Sequence, residues 1–250
     1  MLPESILKVR GILKDKEKGT ADITKAIQND LTLSAAILRI ANSSCFNSSG
    51  RNIKNLSVAI QRLGGKRTFQ LLVAVSSKLV LQVNNKTLQG VIRKSFQSSQ
   101  LVAVAAQEIA RSFNDPATSQ AFFAGLVHDI GTPAIICAHP KDILKLSEED
   151  QNTLLQNLHR EVGAKVLSIW GMDSALQDVA SHHGVESIDR PRGKLIDYVD
   201  AANYIVTHID SDLEMMDCPA INRLGLSSVK LTSVILDIED AIEEMSGVMG

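Results

Sequence analysis

The chain is poor in cysteine, in aromatic residues and in net charge. Three cysteines, Cys45, Cys137 and Cys218, lie far apart in 250 residues, which argues against a disulfide framework or a zinc knuckle and favours a reducing compartment. The formal net charge is -2, and no basic stripe stands out except at Lys66-Arg67 and at residues 190–194. The sequence therefore lacks the electrostatic footprint of a dedicated nucleic-acid-binding protein.

Membrane-spanning and β-sheet signals are missing as well. The N-terminus has no signal-peptide pattern, and no apolar run approaches the length needed to cross a bilayer. No segment of useful length alternates between apolar and polar residues, as a half-buried strand would. We therefore expect a cytoplasmic protein without a membrane segment.

Helical periodicity runs through most of the chain. Apolar residues recur at the spacing of one helix face in several segments, and Gly64 follows one of them as a stop signal. Leu71–Val75 fits either a short buried strand or a buried helix. The pattern predicts an all-α fold, and the periodic positions are Leu33, Ala36, Ile37 and Ile40; Leu56, Ala59, Ile60 and Leu63; and Leu101, Val104, Ala105 and Ile109.

The chain is interpreted as a single domain, 1–250, with two helical lobes. The first lobe covers about residues 1–90 and the second about residues 91–250. Residues 42–52 form a loop rich in serine and asparagine. A solvated turn explains that composition. The alternative is a side-chain network in which Asn42 and Ser43 cap helix ends and fix the lobe.

A histidine and an aspartate are neighbours at His128-Asp129, within the apolar segment 123–131. Charged groups are rarely buried without a partner, so Asp129 needs an explanation. One explanation is half of a metal site, because imidazole and carboxylate both ligate divalent ions. The other is a hydrogen-bonded pair that ties helices together, and the rest of the sequence favours it.

Other histidines offer further ligands. His159 lies in a predicted amphipathic helix, and His182-His183 close the next helical run just before Gly184. The helix dipole, which favours a cation at the C-terminus, also explains the His182-His183 pair. His139 and His208 are interpreted as surface or helix-end residues. The apolar stripe predicted for the helix of His159 is Leu155, Leu158, Val162, Val166 and Ile169.

Several motifs together carry a resemblance to a known family. They are a helix followed by Asn42-Ser43, the segment 53–64 that ends in glycine, Gly125 to Gly131 around the dyad, Glu161-Val162-Gly163 with Trp170-Gly171, and His182-His183. In order and spacing they resemble the HDOD branch of the HD superfamily over nearly the whole chain. The resemblance implies an all-α fold with an N-terminal helical lobe and a degenerate HD-type lobe.

The resemblance also implies where metal ligands would lie. Enzymes of the superfamily use a histidine on an earlier helix, the dyad and a late aspartate, and these would fall on Ser98, His128-Asp129 and Asn203. Asp200 is about one turn from the late position. His159, His182 and His183 match extra histidines that some relatives use. Because serine and asparagine ligate poorly, we expect no resident metal or other cofactor, although weak binding of a divalent ion to the residual candidates stays open.

The functional expectation follows from the resemblance. It implies a non-catalytic regulatory or scaffolding module in bacterial signal transduction, whose partner is another signalling protein. The alternative is a weak metal-dependent phosphohydrolase that uses His128, Asp129, His159 and His183. Nucleic-acid binding is disfavoured by the charge, and the sequence names neither the partner nor the oligomeric state.

Overall fold

The computed structural model describes residues 2–43, 45–47, 50–185, 193–209 and 215–249, the side chains of residues 79 and 244–249 excepted. Within these ranges the chain is helical and contains no strand, so the predicted all-α fold is confirmed. The basic run at residues 190–194 lies mostly outside the described residues.

The chain divides into two compact units. Unit 1 comprises Met1–Val80 with Glu243–Gly250, and unit 2 comprises Leu81–Ile242. The boundary lies before residue 90 because a 27-residue helix, which begins at Lys86, belongs wholly to unit 2. Residues 81–90 thus group with the second unit, and the C-terminal residues group with the first.

Helices of unit 1 form where the apolar spacing predicts them. The side chains at the periodic positions Leu33, Ala36, Ile37 and Ile40 are buried, and Leu71–Val75 is helical. Asp30 and Asn55 cap the helices that follow them, and Gly64 ends a helix with φ 80°. The helices are α1 (Glu4–Lys14), α2 (Thr20–Ile27), α3 (Leu31–Asn42), α4 (Leu56–Leu63) and α5 (Gly65–Val80).

Unit 2 is built around one long helix, α6, which packs against α7 and α12. Its interior is aliphatic and rich in alanine, as Val102 to Ala106 of α6 illustrate with exposures of 0–1%. The helices are α6 (Lys86–Ser112), α7 (Thr118–Val127), α8 (Gly131–Ala138), α9 (Pro140–Ile143), α10 (Glu148–Trp170), α11 (Ser174–His182), α12 (Lys194–His208), α13 (Pro219–Leu224) and α14 (Ser228–Met249), with a 3₁₀ turn at Met215–Asp217. The part of α14 from Glu243 onward belongs to unit 1.

One stretch of the described chain, Thr118–Ala138, is long and apolar enough to cross a membrane by length and composition. The expectation that no apolar run reaches this length is therefore wrong. The stretch joins α7 and α8 through a short turn, and 67% of its apolar 18-residue window is buried inside the protein. Burial of this extent is typical of a core helix, and the absence of a membrane segment stays a prediction.

The loop after α3 is a side-chain network in its described part, not a solvated turn. The Asn42 amide donates to the carbonyls of Leu38 (2.9 Å) and Ile53 (2.8 Å) and accepts from the N–H of Ile53 (2.7 Å). The hydroxyl of Ser43 donates to the carbonyl of Ile40 at 2.7 Å. Asn42 therefore fixes the chain on both sides of the loop.

Candidate functional site

A close backbone contact brings α10 to the dyad. His128 and Asp129 lie in the turn between α7 and α8, and Gly131 follows them as the first residue of α8. The Cα of Gly131 packs against the backbone of His159 and Gly163, where any Cβ would overlap with the His159 carbonyl. Because only glycine fits there, the turn and the middle of α10 lie against each other.

His128 is buried, with 4% of its surface exposed. Its Nδ1 lies 2.7 Å from the carbonyl oxygen of Gly125, and its ring meets that of His183 edge to face at 4.9 Å. A carbonyl can only accept, so Nδ1 carries the proton and Nε2 is the basic nitrogen of the neutral ring. Burial lowers the pKa of His128, and the nearby carboxylate of Asp129 opposes that effect.

Both oxygens of Asp129 accept hydrogen bonds from hydroxyl groups. Ser95 on α6 donates to Oδ2 at 2.8 Å, and Thr132 donates to Oδ1 at 2.6 Å. The residue of α6 that faces the dyad is therefore Ser95. Ser98, which the resemblance gives as the ligand position, lies three residues further along α6, about 60° around the helix from Ser95, and its side chain is exposed.

The Nε2 atoms of His159 and His183 lie close to each other. The Nδ1 of His159 lies 2.9 Å from the carbonyl of Leu155, and the Nδ1 of His183 lies 3.1 Å from that of Ala180. Both Nδ1 atoms therefore donate, and the two Nε2 atoms, 3.2 Å apart, each present a lone pair. A cation between the two nitrogens would remove the repulsion of their lone pairs.

Burial keeps His183 neutral. Only 6% of its surface is exposed, and burial lowers its pKa well below the ordinary value. Positive charge on His128 or His159 would lower that pKa further. A neutral imidazole is the form that ligates a metal ion.

Asp129, His159 and His183 form a group that could hold a metal ion, since their ligand atoms all lie within 4.8 Å of one another. Two nitrogens at the usual 2.0–2.1 Å from one tetrahedral ion lie about 3.3 Å apart, close to the Nε2–Nε2 distance found here. The backbone carbonyls behind the imidazoles and the hydroxyls on the carboxylate would hold the ligands in orientation. The donor set therefore fits a divalent ion such as Zn²⁺.

The other predicted positions lie apart from this group. His182 is half-buried, and its Nδ1 interacts with the carbonyl of Asp178 and the hydroxyl of Ser181. Asn203 is half-buried on α12. One turn before it, Asp200 accepts a hydrogen bond from the N–H of Gly184 at 2.8 Å. The late helix thus helps to position the segment after His183.

Sequence reasoning missed Ser95, Thr132 and Gly131. Thr132 could have been found, because it lies three residues after Asp129 and that spacing puts both on one side of a helical turn. Ser95 is 34 residues from Asp129, and no local pattern links the two. Gly131 belongs to a motif whose steric role becomes visible only when α10 is in place.

Comparison with known proteins gives one family. The profile of the HDOD domain matches residues 1–185. An uncharacterized protein of Treponema pallidum (strain Nichols) is 23% identical over 230 residues, which are 87% of this chain and 44% of that protein. The chain thus spans less than half the length of this curated relative.

Solved structures share the fold. A protein of Shewanella amazonensis SB2B, provisionally named a metal-dependent phosphohydrolase, is 20% identical with a TM-score of 0.78, covering 97% of this chain and 90% of its own. The MmoQ response regulator of Methylococcus capsulatus str. Bath is 23% identical with a TM-score of 0.53, covering 92% and 95%. At these identities the similarity establishes the fold alone.

Proposed function

Because the chain belongs to the HDOD family, we propose that it is a non-catalytic regulatory module of bacterial signal transduction that acts by binding another signalling protein. The family match and the response regulator among the structural neighbours are consistent with a signalling role. The observation that carries the non-catalytic part is the contact of Ser95 with Asp129.

The contact matters because it places a serine hydroxyl of α6 next to the Asp129 carboxylate. The hydroxyl of Ser95 donates to Asp129 Oδ2 at 2.8 Å, on the helix where the superfamily resemblance implies a ligating imidazole at residue 98. Serine supplies no strong nitrogen ligand, and its hydrogen bond stabilises the Asp129 carboxylate without an ion. The Asp129 carboxylate is therefore held by hydrogen bonds from the chain itself, and its role in this proposal is structural.

A divalent ion would be held weakly by Asp129, His159 and His183. When bound, such an ion would supply Lewis acidity and acidify a water ligand. The residues themselves fix the ligand orientation: the backbone carbonyls of Leu155 and Ala180 hold the two rings, and Ser95 and Thr132 hold the carboxylate.

A second candidate function is a weak metal-dependent phosphohydrolase. The specific observation in its favour is the three-residue donor set, since catalytic zinc sites use three protein ligands and leave one position open. His128, buried beside His183, would then orient the site. The provisional name of the Shewanella neighbour agrees with this alternative.

Elemental analysis and turnover assays separate the two candidates. The full chain, purified without chelator, should contain substoichiometric metal and should not hydrolyse phosphomonoesters, nucleotides or cyclic dinucleotides in the presence of Mn²⁺. His159→Ala removes a ligand, whereas His182→Ala alters a neighbouring imidazole outside the donor set and serves as its control. Stoichiometric metal with turnover that His159→Ala abolishes and His182→Ala preserves would establish the hydrolase instead.

Partner binding needs a separate experiment. The tagged full chain, cross-linked in its native cells and identified by mass spectrometry, should retain a signalling protein. Asp129→Asn should retain the same partner, because the proposal assigns binding to the fold and not to a reaction. If reconstitution with the purified candidate shows no association, the protein-binding role is refuted even when hydrolysis is absent.

A further inference from the structure

Acidic residues are absent from a long part of the sequence. Residues 31–107 contain ten lysines and arginines and no aspartate or glutamate, so the nearly neutral total charge conceals a cationic region. Within unit 1, the pKa of Lys78 is lowered by burial and then by the positive charge of Arg39. An uneven charge distribution of this kind favours anionic ligands at the cationic part.

A cavity of about 730 Å³ lies within this region, in unit 1. Arg51, Lys54 and Arg62 line it, and none of the lining residues is acidic. The cavity is open to solvent, since every lining residue except Ile53 is exposed. Arginine guanidinium and lysine ammonium groups bind phosphate oxygens, and the cavity has two of the former and one of the latter.

The backbone of the cavity is held in place by two amide side chains. Asn42 pairs with both the N–H and the carbonyl of Ile53, and Asn47, with 8% of its surface exposed, donates to the carbonyl of Arg51 at 3.0 Å. Ile53 and Arg51 both line the cavity. Fixing this segment before a ligand arrives reduces the entropy lost on binding.

The remaining lining combines an apolar surface with a helix end. Val58, 49% exposed, lies in the first turn of α4, and Asn55 is the N-cap of that helix. Asn55, Val58 and Arg62 lie at i, i+3 and i+7 on one face of α4, so the cavity runs along the side of that helix. Val58 offers an apolar contact for the non-phosphate part of a ligand.

From these observations we propose that the cavity lined by Arg51, Lys54 and Arg62 binds a small organic phosphate. The phosphate meets the cationic side chains, and the organic part lies against Val58. This site belongs to unit 1 and uses none of the residues of the histidine cluster, so it is independent of the metal question. In this proposal the hydrogen bonds of Asn42 hold the binding segment in its conformation.

The test is calorimetric titration of the full chain with ATP as the organic phosphate, in the presence of EDTA so that no metal ion contributes. The double variant Arg51→Gln/Arg62→Gln should weaken ATP binding by about tenfold or more, because each lost charge-assisted hydrogen bond is worth on the order of one decade or more. Arg67→Gln is the matched control: it removes the same charge from the same unit at an exposed position outside the cavity lining. Its affinity should stay within about twofold of the wild type.

Three ligand comparisons complete the test. Inorganic pyrophosphate should bind more weakly than ATP, and adenosine should not bind, because the site needs both charge and apolar contact. Lys54→Gln provides a second single-site variant, and thermal melts check that every variant is folded. The proposal is overturned if the wild type shows no saturable binding of ATP, if Arg67→Gln weakens binding as much as the double variant, or if pyrophosphate equals ATP. Tighter binding of single-stranded RNA than of ATP would overturn it in favour of a nucleic-acid surface.

Discussion

The Nε2 atoms of His159 and His183 face each other at 3.2 Å, and the hydrogen bonds of their Nδ1 atoms leave both Nε2 atoms as acceptors. Two lone pairs at this distance repel unless a positive charge separates them. A divalent ion between the nitrogens would remove this repulsion, and burial disfavours a proton on His183. Conditions that remove metal should make the stability of the protein depend on pH.

Acidification should destabilise the metal-free protein. His128 and His183 have pKa values that burial lowers in the folded state, so the unfolded chain binds more protons as the pH falls below about 6.5. The free energy of unfolding should then decrease from about pH 7.5 to 5.5 in EDTA, measured by urea denaturation. His183→Gln should show a shallower decrease than the wild type. An equal slope in both proteins would mean that His183 does not titrate as its burial implies.

Replacement of Ser95 should strengthen metal binding. Because Ser95 faces Asp129, Ser95→His puts a nitrogen donor next to the existing group, and we expect Zn²⁺ affinity to rise by about tenfold or more. Ser98→His is the matched control, since Ser98 lies on the same helix but is exposed. Calorimetric titration of both variants measures the difference. Equal affinities, with both variants folded, would contradict the assignment of Ser95 to the dyad.

Asp129 should contribute to stability through its hydroxyl partners. Asp129→Ala leaves the hydroxyls of Ser95 and Thr132 without their acceptor, and a loss of about 1 kcal/mol is expected for groups that are half-buried. A double-mutant cycle of Asp129→Ala with Ser95→Ala should give a coupling energy of about 0.5–1.5 kcal/mol. The same cycle with Ser98→Ala should be additive. Chemical denaturation supplies all the values, and coupling to Ser98 in place of Ser95 would refute the geometry.

Gly131 should tolerate no side chain. A Cβ would collide with the backbone of His159, and backbone atoms cannot move aside as a flexible side chain can, so Gly131→Ala should cost about 3 kcal/mol or abolish folding. Gly90 in α6 has open space where a Cβ would lie, and Gly90→Ala should stabilise the helix by about 0.5–1 kcal/mol. Melting curves of the two variants test the contrast. A fully stable Gly131→Ala protein would exclude the close approach of α8 and α10.

Periodicity predicts the helices well where side chains alone determine the buried face. The expected positions of α3 are buried, and α4 runs from Leu56 to Leu63 with Gly64 as its end. In α10 the predicted stripe is right only in part. Leu155 is buried and Val162 packs against a core cluster. Leu158 and Ile169, in contrast, are 41% and 66% exposed. The buried residues of α10 are Leu155, Gly163, Leu167 and Trp170.

The reason for the error in α10 is the contact with Gly131. Gly163 packs against that glycine, and a glycine contributes nothing to a hydrophobic pattern although its backbone sets the face of the helix. Prediction of the site from the sequence has the same limit. His159 and His183 could be named as candidates from the sequence, but their 3.2 Å approach depends on this backbone contact and on the Asp200–Gly184 hydrogen bond.

The Asn42 amide has a consequence for the chemical lifetime of the protein. Its nitrogen donates to the carbonyls of Leu38 and Ile53 while its oxygen accepts from the N–H of Ile53. Asparagine is a thermolabile residue, and deamidation would replace that nitrogen by a carboxylate oxygen facing two carbonyl oxygens. Deamidation of Asn42 would thus replace two hydrogen bonds that hold the loop with repulsion between oxygen atoms. The integrity of Asn42 is therefore a measure of how long a preparation keeps unit 1 in its native form.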